Sequence, residues 1–216
     1  MAESRARNKQ TVIECIREAF HATEHPGDAF LQGSHEGCEP AEVTAPFKGM
    51  AHWSAAEPAM LDANDTALGF FSEGAFRHFL PAFLISDLQG QLRTADPLFH
   101  LTNGFSEQVV ALPAGGRVFE KTIGKSAFVN PRRYGAMTWY DFARARLSIF
   151  TREEALAIVA YLEYQRDADP DGTNQEVVQA ALDGFWLARA QEAPTQAMLT
   201  AHLKAEADYI SALTRQ

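Results

Sequence analysis

The 216-residue chain contains only two cysteines, Cys15 and Cys38, and no run of about 18 apolar residues. Two cysteines are too few for the disulfide framework of a small secreted protein, so we expect both thiols to be reduced. The start of the chain lacks the apolar stretch and the small-residue cleavage site of a secretory signal. These absences predict a cytoplasmic protein that does not associate with membranes.

The chain also lacks the motifs of several common enzyme classes. It has no G-x-S-x-G nucleophile elbow and no serine–lysine signature. Gly124–Ser126 reads GKS, but a phosphate loop needs a glycine five positions before Gly124, and that position is Phe119. We therefore assign no catalytic residue and no cofactor, and an enzyme is the less favoured interpretation.

Negative charge dominates the composition but is unevenly distributed. The 28 acidic and 19 basic residues give a formal net charge of −9, which disfavours nonspecific binding of the whole molecule to nucleic acid or membranes. Residues 115–148 contain seven basic and two acidic residues, so this segment carries +5 and the remainder −14. We call the seven basic residues the basic island: Arg117, Lys121, Lys125, Arg132, Arg133, Arg144 and Arg146. They form a candidate partner-binding site, unless they pair internally with the acidic body.

The hydrophobic pattern predicts a single, mainly α-helical domain over residues 1–216 with a minor β component. Apolar residues recur at helical spacing over 12–20, 152–165, 174–190 and 195–214. At one of these starts, Thr151 and Glu154 form the pattern of a capping box. Residues 1–8 are candidates for a disordered start, and 104–134 for an insertion.

A proline interrupts the most apolar stretch, EGAFRHFLPAFLISDL at 73–88, for which the preceding Ser72 is the predicted N-cap. Apolar residues surround nearly its whole circumference, which predicts a central helix that packs beside the helix at 152–165. A proline inside a helix removes one N–H donor and kinks the helix. The kink is either a bend in the core or one wall of a ligand pocket. The pocket candidates are Arg77, His78, Pro81 and His100.

Three segments resemble short strands. Residues 97–102, 107–113 and 117–124 alternate in polarity and contain β-branched or aromatic residues. Gly115 and Gly116 separate the last two segments, as expected for a hairpin turn. The sequence therefore predicts a small antiparallel element.

One acidic segment, DADPDG at 167–172, begins like a calcium-binding loop. Asp167, Asp169 and Asp171 stand at alternate positions before a glycine. The twelfth position of such a loop needs a bidentate carboxylate, and here it is Val178. We therefore favour an acidic turn and assign no metal, with the three aspartates as the only candidate ligands in this segment.

About half of the chain resembles an uncharacterised bacterial domain-of-unknown-function family. The matching motifs are FRHFLPAFL, FHLT, FTREE and YLEY, within 76–84, 99–102, 150–154 and 161–164, after a lead-in at 67–72. Residues 104–134 are longer than the corresponding part of the family pattern. Because the matching motifs are structural, the resemblance implies a shared fold and brings no function with it.

Two functions remain open. The first is a non-enzymatic cytoplasmic protein that binds another macromolecule, most simply a protein. An immunity- or inhibitor-like role is one version, with an acidic surface that caps a basic toxin. If the partner is a nucleic acid, the basic island is the only surface expected to bind it. The alternative is a small-ligand protein or enzyme with a pocket beside Pro81. The oligomeric state does not follow from the sequence.

Overall fold

The computed structural model describes residues 8–114 and 117–215, and over these ranges the fold is mainly α-helical with two small antiparallel sheets. This confirms the predicted fold class. Of the predicted disordered start only Asn8 is described, as the residue that caps the first helix. Residues 1–7 and the predicted turn at Gly115 and Gly116 lie outside the described residues. No helix in the described ranges is long and apolar enough to cross a membrane.

The helices and strands follow the predicted order with a few differences. The helices are α1 Lys9–Phe20, α2 Glu39–Thr44, α3 Pro58–Ala63, α4 Ala67–Phe70, α5 Glu73–Leu88, α6 Pro97–Thr102, α7 Trp139–Arg146, α8 Arg152–Ala168, α9 Gln175–Ala181, α10 Leu187–Gln191 and α11 Gln196–Leu213. The strands are β1 Glu107–Ala114, β2 Arg117–Gly124, β3 Phe128–Val129 and β4 Met137–Thr138. A π-helical turn at Leu182–Trp186 joins α9 to α10, so the helix predicted over 174–190 has an irregular middle.

Helix α5 forms the centre of the fold, as predicted. Its N-cap is Ser72, whose side chain accepts a hydrogen bond from the N–H of Ala75 at 3.0 Å. Thirteen of its sixteen residues are buried, including Pro81, because apolar side chains face neighbours on almost every side. The proline is thus enclosed within the core.

Helices α5 and α8 are neighbours through their side chains, while α1 lies against both. Near the helix starts, Nε of Arg77 lies 2.9 Å from a carboxylate oxygen of Glu154. Near the end of α5, the hydroxyl of Tyr161 donates to Asp87 at 2.6 Å. The two helices therefore run in the same direction. The predicted capping box is confirmed, since Thr151 and Glu154 exchange hydrogen bonds of 2.8 and 3.2 Å.

One predicted strand is wrong, because residues 97–102 form helix α6. The side chain of Asp96 accepts a hydrogen bond from the N–H of Phe99 at 2.9 Å, and Pro97 occupies the first turn. An aspartate cap followed by proline is a helix-start signal, because proline needs no donor there and its fixed φ suits a helix. This local signal outweighs the alternation in a six-residue segment.

The other two predicted strands are confirmed as the hairpin of β1 and β2. Their antiparallel register runs from Glu107 opposite Gly124 to Ala114 opposite Arg117. Gly124 has a φ of +118°, and a Cβ there would clash with the carbonyl oxygen of Ser106. That carbonyl accepts the N–H of Lys125 at 2.9 Å, so the base of the hairpin requires glycine. Strands β3 and β4 follow and lead directly into α7.

Candidate functional site

The predicted pocket residues do not share one cavity. Pro81 and His78 line neither of the two cavities described below, whereas Arg77 lines the larger one and His100 the smaller one. Pro81 is buried in the middle of α5. We therefore consider each of these residues in its own surroundings.

His78 is a buried imidazole held on one side only. Its Nδ1 donates to the backbone carbonyl of Thr23 at 3.0 Å, and its Nε2 has no hydrogen-bond partner among the described residues. The His25 ring lies 5.0 Å away, centroid to centroid. Burial, as the largest cause, lowers the pKa of His78 to about 4, so the ring is neutral at physiological pH. His78 is a core residue in this fold.

Arg77 is held in a buried ion pair. Its Nε donates to both carboxylate oxygens of Glu154, at 2.9 and 3.1 Å, and Thr23 adds a third hydrogen bond to that carboxylate at 2.9 Å. A cavity of about 1250 Å³ passes over this pair, between the end of α1, the start of α8 and α11. Because Glu154 also closes the capping box, the pair fixes the relative position of α5 and α8.

A smaller cavity of about 540 Å³ lies at the N-terminus of α5, and we call it the α5 cavity. Its walls come from α4, α6, α7 and α11 together with residues 130–134. Its aromatic lining includes Phe99, Tyr134, Trp139, Phe142 and Tyr209. Its ionisable lining includes Glu73, His100, Arg133, Arg146 and Glu206. Mostly apolar cavities of this size with a few converging polar groups are typical small-molecule sites.

Glu206 of α11 binds the exposed amides at the start of α5. Its two carboxylate oxygens accept the N–H groups of Glu73 and Gly74 at 2.7 and 3.0 Å. The first amides of a helix have no partner within the helix, and the helix dipole favours negative charge there. A side chain 133 residues away thus completes the cap that Ser72 begins and attaches α11 to the core.

Glu73 collects three donors on its buried carboxylate. The Tyr134 hydroxyl and Nε2 of His202 donate to it, and Nη1 of Arg133 lies 2.8 Å from it. Arg133 also lies 3.5 Å from Glu206 and so bridges the two carboxylates. The Glu73 and Glu206 side chains are only 8% and 9% exposed. The half-buried Arg133 therefore joins the segment between β3 and β4 to α5 and α11.

Burial shifts the ionisation of this cluster. It raises the pKa of Glu206, with the Glu73 carboxylate as the second cause, while the amides of α5 and Arg133 act in the opposite direction. Burial also raises the pKa of Tyr134, and the neighbouring Glu73 carboxylate raises it further. Tyr134 is therefore a neutral donor to Glu73. Groups with displaced pKa values that converge on a cavity mark a candidate functional site.

Arg146 and His100 form the opposite side of the α5 cavity. Nη2 of Arg146 donates to the carbonyl of Leu68, and its guanidinium stacks 4.8 Å from the centroid of the Phe76 ring. Among the described residues no carboxylate forms an ion pair with Arg146. Burial first and the Arg146 charge second lower the pKa of His100 to about 3. A neutral imidazole therefore lies beside a cation without a carboxylate partner.

The basic island divides between the interior and the surface. Arg133 and Arg146 line the α5 cavity, as described above. Arg132 pairs with Glu36 at 2.7 Å, with both side chains more than 60% exposed. Exposed Arg144 stacks on Tyr140. The remaining three island residues lie on or beside the hairpin, are exposed and form no ion pair with a described carboxylate: Arg117, Lys121 and Lys125.

The hairpin exposes apolar side chains together with these cations. Because residues alternate between faces, Arg117, Phe119 and Lys121 share one face of β2, and Leu112 of β1 lies directly opposite Phe119. Phe119 is 53% and Leu112 45% exposed. In the described chain the two strands pair only with each other, so both outer edges of the sheet are open. This surface can accept an extended segment of another molecule.

The candidate calcium segment is an acidic turn within the described residues. The carboxylate of Asp169 accepts the backbone N–H groups of Asp171 and Asn174 at 3.3 and 2.7 Å. Asp167 pairs with its neighbour Arg166. No group of three His, Cys, Asp or Glu side chains is arranged for a metal ion anywhere in the ranges that the structure covers.

Sequence reasoning missed the main acidic members of the α5 cavity. Glu73 follows the predicted Ser72 cap, and its place in the first turn of a helix was the only available signal. Nothing in the pattern indicated that Glu206 and His202 would reach it from α11, because these contacts join residues about 130 positions apart.

No family model, curated protein or solved structure matches the chain.

Proposed function

We propose that the protein binds an acidic protein partner through the hairpin of β1 and β2. The observation that carries this proposal is the face that presents Arg117, Lys121, Phe119 and Leu112 together, uncovered by the rest of the described chain. The proposed role is non-enzymatic, since the hairpin would act by presenting these side chains to a partner.

The hairpin of β1 and β2 is uncovered in the described chain, and this makes it unstable by itself. A two-stranded hairpin is marginally stable in water unless a third strand or another surface covers its apolar face. Here Leu112 and Phe119 are 45% and 53% exposed on one face, and Val109 and Val118 are 63% and 69% exposed on the other. Such side chains lose their contact with water when a partner covers them, at roughly 25 cal/mol per Å² of apolar area.

The chemistry of the face selects the partner. Arg117 and Lys121 point to the same side as Phe119, and Lys125 lies just beyond the end of β2. A strand or loop with alternating acidic and apolar residues matches this pattern, and it can add to an open edge through main-chain hydrogen bonds. This favours an acidic partner over the basic toxin of the immunity-like alternative.

The reducing cytoplasm is the proposed compartment. Cys15 and Cys38 are both unpaired and exposed. Exposed free thiols persist in a reducing environment and are oxidised readily elsewhere.

The test combines site-specific crosslinking with matched charge variants. A benzoylphenylalanine at position 119 should capture one protein in the native host, to be identified by mass spectrometry and then purified. The double variant R117E/K121E should weaken its binding about tenfold or more, and higher salt should weaken wild-type binding. The control K9E/K48E makes the same charge change at exposed sites away from the hairpin and should retain binding.

Three results would contradict the proposal. The captured protein could carry a basic contact surface, the crosslink could join two copies of this chain, or R117E/K121E could bind as well as the control does. R117E/K121E should have the melting temperature of wild type, so that a loss of binding is attributed to the changed surface charges and not to unfolding.

A further inference from the structure

We propose that the α5 cavity binds a small organic carboxylate, with its anionic group against Arg146 and its apolar body among the rings of Phe99, Trp139 and Phe142. This site is separate from the hairpin surface and does not depend on the proposed partner. Most charged side chains of the cavity contact a group of opposite charge, whereas Arg146 has no such contact among the described residues.

Three carboxylates line the cavity, and each has its partners: Glu36, at the rim, pairs with Arg132. Glu206 holds two amides of α5, and Glu73 holds Tyr134, His202 and the Arg133 cation. Arg133 is divided between them, and its Nη2 also donates to the carbonyl of His202 at 3.3 Å. The oxygens of Glu73 and Glu206 already accept hydrogen bonds from these groups, so this side of the cavity is a fixed polar wall.

Arg146 is the cation of the described cavity lining that has no carboxylate within ion-pair distance, although Glu73 and Glu206 stabilise its charge from farther away. The contacts described for its side chain are one backbone carbonyl and the face of the Phe76 ring, and neither carries a full negative charge. A buried guanidinium is stabilised most by a carboxylate, which accepts two parallel N–H groups at once. A ligand carboxylate in the cavity can supply this missing partner.

The surroundings of Arg146 favour a monoanion with an aromatic or otherwise apolar body. The walls contain the rings of Phe99, Trp139 and Phe142. The neutral His100 ring also lines the cavity, and its Cε1 atom lies 3.7 Å from the position that a Cβ on Gly69 would occupy. Glu73 and Glu206 stand across the same cavity, so a second negative charge on the ligand would meet repulsion. This selects a carboxylate over a dianionic phosphate.

Binding can be measured with phenylacetate and its neutral analogue phenylacetamide as probes. Trp139 lines the cavity, whereas Trp53 and Trp186 are buried elsewhere, so tryptophan fluorescence reports occupancy. Phenylacetate should give a saturable change, and phenylacetamide should bind about tenfold or more weakly. R146Q should remove this difference, whereas R144Q, at an exposed arginine on the same helix, should preserve it.

A second variant guards against misfolding of R146Q. Gly69 lines the cavity, is exposed on α4 and faces His100, so the leucine of G69L would occupy space beside His100, and it should abolish the phenylacetate signal. The proposal is overturned if phenylacetate gives no saturable change up to about 10 mM, a range that covers weak small-molecule affinities. Equal affinity for the acid and the amide, or full binding by G69L, would overturn it as well.

Discussion

The basic island shows how neighbours in sequence can acquire opposite physical roles. Arg133 and Arg146 face the α5 cavity, where Arg133 joins two buried carboxylates. Arg117 and Lys121 extend into solvent on a hairpin that nothing in the described chain covers. The same positive charge therefore holds the structure together at one end of the segment and remains available to a partner at the other.

The difference comes from what the fold brings opposite each cation. Helix α11 returns from the end of the chain and places Glu206 beside Arg133, and the start of α5 supplies Glu73. No acidic element folds back over the hairpin within the described residues. The island is thus two sites, and a charge count along the sequence cannot separate them.

The largest effect should come from the adjacent pair Arg132 and Arg133. R133M leaves Glu73 and Glu206 buried without their shared cation, so we expect it to lower the free energy of unfolding by about 3 kcal/mol. R132M breaks only an exposed pair with Glu36 and should cost about 0.5 kcal/mol or less. Urea denaturation of the two variants beside wild type measures both values.

If R132M and R133M lowered the free energy of unfolding equally, the distinction between an interior arginine at 133 and a surface arginine at 132 would be wrong. From the sequence alone, Arg132 and Arg133 belong to one basic island that either serves a partner or pairs internally. The structure distinguishes the two positions. Arg132 has its guanidinium in solvent, so its replacement should leave stability nearly unchanged, whereas the Arg133 side chain is mostly covered and pairs internally.

The local signals in the sequence were sufficient for most of the fold. The Ser72 and Thr151 caps and the apolar circumference of 73–88 depend on residues within one or two turns, and all three predictions are confirmed. The strand prediction at 97–102 failed because alternation over six residues is weak evidence beside an aspartate cap and a proline.

The candidate site was harder to predict, because distant residues build it. The sequence identified Arg133, Arg146 and His100 as candidates but could not show that α11 would bring Glu206 to the first amides of α5. It also could not show that Pro81 would be enclosed by core side chains. Spacing patterns report periodicity within one element and carry little information on which elements meet.

A smaller effect should appear in the pH dependence of the interior. In the unfolded chain His100 takes up a proton near pH 6.5, whereas in the folded protein burial and Arg146 lower its pKa to about 3. The unfolded state therefore binds more protons as the pH falls through this window. The contribution of His100 to stability is complete above pH 6.5 and is lost toward pH 3.

This prediction is best measured as a difference between wild type and H100Q. Wild type should lose about 2 kcal/mol more than H100Q between pH 6.5 and pH 4.5, because glutamine does not titrate. Using the difference cancels the contributions of the other ionisable groups. Parallel stability curves for wild type and H100Q would contradict the prediction, because they would mean that folding does not lower the pKa of His100.

The smallest effect on global stability should come from the base of the hairpin. G124A places a Cβ against the carbonyl oxygen of Ser106 at a φ of +118°, so the strands cannot close in their present register. We expect a local cost of about 1–2 kcal/mol, seen as faster hydrogen exchange of the β1 and β2 amides. Exchange in α5 should be unchanged, since the hairpin covers none of it. If G124A also accelerated exchange in α5, the hairpin would be part of the interior, and its exposed cations could not form an independent surface.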